Sequence, residues 1–129
     1  MIKHLDHFVI TTTHVEECLE FYSTLGFTPI TNKGRYELRC GMFKINVHVS
    51  GKEFSPHAKN VMPGSTDFCL EVDGNLDKIL SNMKEKEYVI AKGKCTKFGF
   101  RGKMTSIYLR DPDGNLVELS SYNQNEIQE

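Results

Sequence analysis

Apolar and polar residues alternate, then recur at helical spacing, then alternate again, and this succession of periods occurs twice along the chain. His7-Phe8-Val9-Ile10-Thr11-Thr12 is rich in β-branched and aromatic residues and predicts a strand. A helix follows with Val15, Leu19 and Tyr22 on one side; Thr13 and Glu16 have capping-box spacing, and Gly26 is placed to end it. Short strands are predicted at 28–31 and 36–40, joined by the turn-forming Asn32-Lys33-Gly34. A stronger strand covers 43–49, where the alternation is clean. Residues 51–65 have no period and contain Pro56, Pro63 and Gly64, which predicts a long surface connection. The order then restarts, with a strand at 67–72 and a helix at 75–87 that places Leu76, Ile79, Leu80 and Met83 on one side. A short strand at 88–91 is followed by strands at 105–110 and 115–120 around the turn Asp111-Pro112-Asp113-Gly114. The polar tail after Tyr122 is expected to fray.

Strand, helix and three strands, written twice, predict an α+β fold of paired βαβββ modules, 1–50 and 66–122, within one domain spanning 1–129. One helix covers one face of each module's sheet. Two modules side by side are expected to make a curved mixed sheet, helices outside, whose concave inner surface takes a ligand. The length of 129 residues, with 39% hydrophobic and 26% charged residues, is ordinary for such a globular domain. A formal charge of −1 gives no general attraction to nucleic acid or anionic membranes. No apolar run approaches the roughly 20 residues that cross a bilayer, and the N-terminus lacks a signal-peptide core. Neither a nucleic-acid nor a membrane partner is therefore expected. Cys18, Cys40, Cys69 and Cys95 are widely spaced and form no C-x-x-C pair, which points to buried or free thiols and a reducing cytoplasm.

Superposing the two halves by their strands sets His7 over Asp67 and His48 over Glu118, so all four repeat positions carry metal-competent side chains. Alternation places Ile45, Val47 and Val49 on one face of their strand and Asn46 and His48 on the other. Glu118 has the same outward phase relative to Val117 and Leu119. Two imidazoles with carboxylates suit Fe(II), Mn, Zn or Ni and leave positions open for water or substrate. A lone strand histidine or glutamate is more often solvated, and Asp67 begins its strand just after a Pro-Gly-Ser-Thr turn; the repeat is what raises their value. Ser106 and Tyr108 share one strand face, and the plainer reading of Tyr108 is a packed aromatic with its hydroxyl in water. The basic, Gly-rich stretch 92–103 includes Arg101, a candidate contact for an anionic small molecule if the stretch is a closing loop.

Leu5-Asp6-His7-Phe8-Val9-Ile10, then Phe21-Tyr22-Ser23-Thr24-Leu25-Gly26-Phe27, and finally 108–119 with its D-P-D-G-N turn resemble the vicinal oxygen chelate superfamily, the glyoxalase, bleomycin-resistance and dioxygenase group. The resemblance runs from Leu5 to Tyr122. More narrowly, Lys44-Ile45-Asn46-Val47-His48, Gly51-Lys52-Glu53-Phe54 and Pro63-Gly64-Ser65 resemble the subgroup of glyoxalase domain-containing protein 5. The subgroup implies the fold but no settled reaction, while the superfamily resemblance implies a divalent-metal enzyme with His7, His48, Glu118 and Asp67 as ligands, Glu118 as catalytic base, and a homodimer with intersubunit sites. Ser106 and Tyr108 stand at positions that resemble substrate contacts of its fosfomycin-resistance branch, Tyr108 also a catalytic candidate. Asp67 stands where glyoxalase I and extradiol dioxygenases usually place histidine, and His48 where glyoxalase I prefers glutamate, which weakens a glyoxalase I reading. Lyase or isomerase, transferase and dioxygenase chemistry on a small oxygenated substrate remain open, and the alternative is a metal-free drug- or metabolite-binding module.

Overall fold

The computed structural model describes residues 1–122, so the tail after Tyr122 lies outside the described residues. The chain forms two compact units, Met1–Ser65 and Thr66–Glu129. The first runs β1 (His7–Thr12), α1 (Val15–Thr24), β2 (Thr28–Asn32), β3 (Arg35–Cys40) and β4 (Phe43–Val49). The second repeats the order as β5 (Asp67–Glu71), α2 (Leu76–Glu85), β6 (Val89–Gly99), β7 (Gly102–Arg110) and β8 (Leu116–Ser121). Each builds its own mixed four-stranded sheet, in the orders β1-β4-β3-β2 and β5-β8-β7-β6, with the first strand parallel to the last and the others antiparallel. The predicted βαβββ module is thus present twice.

Period-two alternation divides each sheet into a helix-covered face and a polar face. In the first unit Ile10, Leu38, Ile45 and Val47 pack with Cys18, Phe21 and Tyr22 of α1, all nearly inaccessible to solvent. Tyr22 meets Phe21 and Phe27 edge to face, with centroids 4.9 and 5.7 Å apart. In the second unit Ile107, Leu109, Val117 and Leu119 lie with Leu76 and Met83 of α2. Each such side chain contributes about 1.5–3 kcal/mol of burial, and none of it involves the polar face.

Two local expectations need correction. The N-cap of α1 is His14, one residue beyond Thr13 and without a side-chain cap bond, and Thr12 Oγ1 accepts from the His14 backbone N–H at 3.0 Å. The negative charges of Glu16 and Glu17 in the first turn supply the dipole-matching contribution. By contrast Asn75 does cap α2, accepting from Asp77 and Lys78 N–H at 2.8 and 3.2 Å. The second correction concerns 92–103, which is not a loop but most of a long β6–β7 hairpin. Its lysines are tolerated because β6 is the sheet edge, where charged side chains remain in water and discourage pairing with another chain. At the hairpin's end Gly99 is required by close approach, since a Cβ there would lie 2.2 Å from the Tyr122 hydroxyl and 2.7 Å from Met104 Sδ.

Candidate functional site

The turn before β8 explains why Asp111-Pro112-Asp113-Gly114-Asn115 precedes Glu118. Buried Asp111 accepts from the Asp113 and Asn115 backbone N–H groups at 3.0 and 2.9 Å through Oδ1, and from Asn115 Nδ2 at 2.7 Å through Oδ2. Asn115, also buried, turns its Oδ1 to the Thr66 N–H at 2.9 Å, while the Thr66 carbonyl accepts from Leu116 N–H at 3.0 Å. One polar cluster thereby fixes the start of β5 against the start of β8. It sets their register, with Asp67 opposite Leu116 and Cys69 opposite Glu118.

Glu118 is half-buried on the polar face of the second unit's sheet, as its phase predicts. Its Oε2 accepts from Ser106 Oγ at 2.8 Å and Ser120 Oγ at 3.1 Å, and the two hydroxyl oxygens are 2.7 Å from each other. Cys69 Sγ lies 3.1 Å from Ser120 Oγ. Each hydroxyl has one proton, so a consistent assignment sends Ser106 O–H to the carboxylate, Ser120 O–H to the carboxylate or Ser106, and the thiol proton to Ser120. Desolvation holds the Cys69 thiol above its ordinary value, which keeps that proton in place. Opposite Glu118 on β7 stands Tyr108; desolvation first, then the adjacent carboxylate, pushes its phenol up to about 12. Tyr108 is therefore a neutral hydroxyl at neutral pH, able to donate and unable to act as a base.

Ser106, a candidate substrate contact by resemblance, is fully buried, and its hydroxyl donates to Glu118 and so orients that carboxylate. Arg101 likewise has partners of its own. Its guanidinium forks onto Glu71 at 3.2 and 2.9 Å and lies 4.1 Å over the Tyr122 ring, so its charge is matched already. Asp67 is exposed at the first position of β5.

In the first unit His7 is exposed, and its Nδ1 lies 2.7 Å from Asp6 Oδ1. That bond holds the Asp6 carboxyl below its ordinary value. With Nδ1–H directed at a carboxylate, the lone pair is on Nε2, the arrangement in which an imidazole ligates a metal. An open cleft lined by Asp6, Arg39, Gly41, Met42, Phe43 and Lys44 adjoins this end of the face.

His48 is not where the repeat comparison set it. The β1–β4 register puts His7 opposite Lys44, Val9 opposite Asn46 and Thr11 opposite His48. Four residues of strand separate the rows of His7 and His48, roughly 13 Å at ~3.3 Å per residue. That exceeds the span over which two side chains rising from one face close on a single ion. With His7 matched to Asp67, the residue equivalent to Glu118 is Asn46, since Asn46 faces Val9 as Glu118 faces Cys69; His48 corresponds to Ser120. The physical reason is that a two-residue slip leaves every side chain on its face, so alternation alone cannot detect it. The signal for Asn46 in the sequence is the phase it shares with His48. Its Oδ1 is buried and has no hydrogen-bond partner among the described residues.

Among the described residues no group of three or more His, Cys, Asp or Glu side chains is gathered closely enough to hold a metal ion. The fit to a metal therefore rests on donor chemistry, unit by unit: the freed Nε2 of His7 in the first, and the carboxylates of Asp67 and Glu118 in the second. Among the described residues no helix is long and apolar enough to cross a membrane.

A four-stranded mixed sheet with one covering helix, twice over, and a carboxylate held by hydroxyls on its polar face define a recognised class. The family model of the glyoxalase/bleomycin resistance protein/dioxygenase superfamily matches residues 4–119, and the chain belongs to that superfamily. It is 38% identical over 122 residues to the glyoxalase domain-containing protein RDO1 of Mycosarcoma maydis, spanning 94% of this chain and 69% of that protein. It is also 37% identical over 124 residues to the virulence protein STM3117 of Salmonella typhimurium, spanning 95% of this chain and 86% of that protein. A solved structure from the mobile metagenome of V. pseudocholerae superposes with a TM-score of 0.91 at 40% identity, covering 96% of this chain and 98% of the other.

Proposed function

We propose that this chain is a divalent-metal-dependent enzyme acting on a small oxygenated substrate, with Glu118 and Asp67 as the metal donors of the second unit and His7 as the imidazole candidate of the first. The observation that carries the reading is the setting of Glu118: a half-buried carboxylate whose Oε2 is held by Ser106 and Ser120 and which Tyr108 faces across the strand pair. Such outer hydrogen bonds fix a ligand's orientation before the ion arrives. Bound there, the ion supplies Lewis-acid polarisation of a carbonyl or carboxylate oxygen. Tyr108, neutral at working pH, donates a hydrogen bond to oxygen that gains charge; Glu118 takes or returns a proton at the adjacent carbon. Lyase or isomerase, transferase and dioxygenase chemistry are all compatible with this set. The functional form in this proposal is a cytoplasmic homodimer; the four free cysteines, Cys18, Cys40, Cys69 and Cys95, suit that compartment.

The test is calorimetric titration of Mn(II), Ni(II) and Zn(II) into chelator-treated wild type and Glu118→Gln. The substitution preserves volume and removes the charge that balances the cation. Wild type is expected to bind one of the metals stoichiometrically, and Glu118→Gln to bind it more than ~100-fold more weakly, beyond the 10- to 100-fold typical of outer-shell changes. Far-UV circular dichroism should be unchanged, because Glu118 takes no part in the helix-covered core. Absent binding by wild type, or unchanged affinity in the variant, overturns the proposal and favours a metal-free binding module.

A further inference from the structure

The polar face of the first unit's sheet carries a second grouping of chemistry, at the opposite end of β4 from Lys44. Three cations rise from this face. Arg39 and Lys44 are both spent on Glu37, whose carboxylate accepts from Arg39 Nε and Lys44 Nζ at 2.9 Å each. The two bonds hold the Glu37 carboxyl below its ordinary value, the Lys44 bond being the larger cause. Arg35, the third, has no carboxylate partner among the described residues. It is held all the same: its guanidinium lies 3.8 Å over the Phe54 ring, which also meets the His48 imidazole edge to face at 5.8 Å. Stacking fixes the guanidinium plane and leaves its N–H edge for a planar anion.

Register places the other members. Tyr36 faces Val47, so Arg35 continues that pairing to stand across from His48, and Asn46 is two positions along β4 on the same face. The spacings are about 4.8 Å between strands and about 6.7 Å between alternate residues, the scale of a ligand of a few heavy atoms. Burial favours the neutral form of His48, so it adds a polar ring without adding charge. Asn46 supplies the unsatisfied element, a buried Oδ1 that accepts nothing from the other described residues. A buried acceptor in that condition calls for a donor from a ligand or an ordered water.

We propose that Arg35, His48, Asn46 and Phe54 form a subsite for a small hydroxy-carboxylate, the carboxylate on the Arg35 guanidinium and the hydroxyl donating to Asn46 Oδ1. Phe54 holds the arginine in place, and His48 lies between the two anchors. The subsite uses none of the proposed metal donors, so it is tested on metal-free protein in the presence of a chelator, and its outcome is separate from that of the metal titration.

The experiment is a two-dimensional NMR titration of the full chain with propanoate, lactate and 3-hydroxypropanoate, following the backbone amides of Arg35, Asn46, His48 and Phe54. At least one hydroxy acid is expected to bind about tenfold more tightly than propanoate, the worth of one well-placed hydrogen bond. Asn46→Ala should remove that preference while leaving propanoate affinity unchanged, and Arg35→Gln should weaken all three acids at least tenfold. A chemical-shift map matching wild type outside the site confirms that each variant is folded; a variant that fails this check is replaced by Asn46→Leu or Arg35→Lys. Equal binding of all three acids, no saturable shifts, or indifference to Arg35→Gln overturns the proposal.

Discussion

Removing the Asn115 side chain tests whether the buried polar cluster behind the Asp-Pro-Asp-Gly-Asn turn holds the second unit together. In Asn115→Ala the Thr66 N–H loses its acceptor, at 2.9 Å in the native chain, and Asp111 Oδ2 loses the amide donor at 2.7 Å. Asp111 and Asn115 are 4% and 1% exposed, so water does not readily replace either bond. Leaving a buried group without its partner costs about 1–3 kcal/mol, with the charged Asp111 towards the upper end, which sums to roughly 2–5 kcal/mol. For a chain of this size about 1 kcal/mol shifts Tm by roughly 4 °C, so a fall of roughly 8–20 °C is expected. Asp111→Asn keeps a carbonyl acceptor for the Asp113 and Asn115 N–H groups and should cost less. Thermal and urea unfolding at neutral pH, followed by circular dichroism, measure both. An Asn115→Ala variant within about 0.5 kcal/mol of wild type would show that the turn is merely local and does not tie β5 to β8.

Gly99→Ala should destabilise the β6–β7 hairpin by about 1–3 kcal/mol, because the new methyl meets the Tyr122 hydroxyl and Met104 sulfur; Gly99→Ala combined with Tyr122→Phe should recover part of the loss in urea unfolding. Alkaline titration at 295 nm should show a tyrosine ionising near 12, absent from Tyr108→Phe. Because this pKa is raised on folding, the stability tied to the neutral phenol is present below the ordinary 10.0 and is lost as pH rises towards about 12. His48 works in the other direction: its pKa is lowered by burial, so the unfolded chain takes up the proton first and stability falls as pH drops below about 6.5. Imidazole NMR resonances that titrate for His48 at or above 6.5 would contradict this.

Much of this protein is legible without coordinates because its elements bury one face each. Leu76, Ile79, Leu80 and Met83 mark a helix by their spacing; Ile45 and Val47 against Asn46 and His48 mark a strand and its two faces. The duplicated βαβββ order, the outward phase of Glu118 and the turn that delivers it followed from such local signals. Local signals point elsewhere at 92–103, where lysines and glycines suggest a loop but an edge strand accepts them, and at Thr13, whose capping spacing sets the helix N-cap one residue before His14. What tertiary structure alone decided is register. Sliding β4 by two residues along β1 changes no side chain's face and no hydrophobic period, yet it decides whether His48 or Asn46 shares the position of Glu118. The hydrogen-bond ladder made that choice, and it moved His48 away from His7 and towards Arg35 and Phe54. Partnerships between residues far apart in the chain, such as Ser106 on Glu118 or Arg101 on Glu71, are likewise invisible in the linear sequence, because their members lie 12 and 30 residues apart and meet only once the strands are paired.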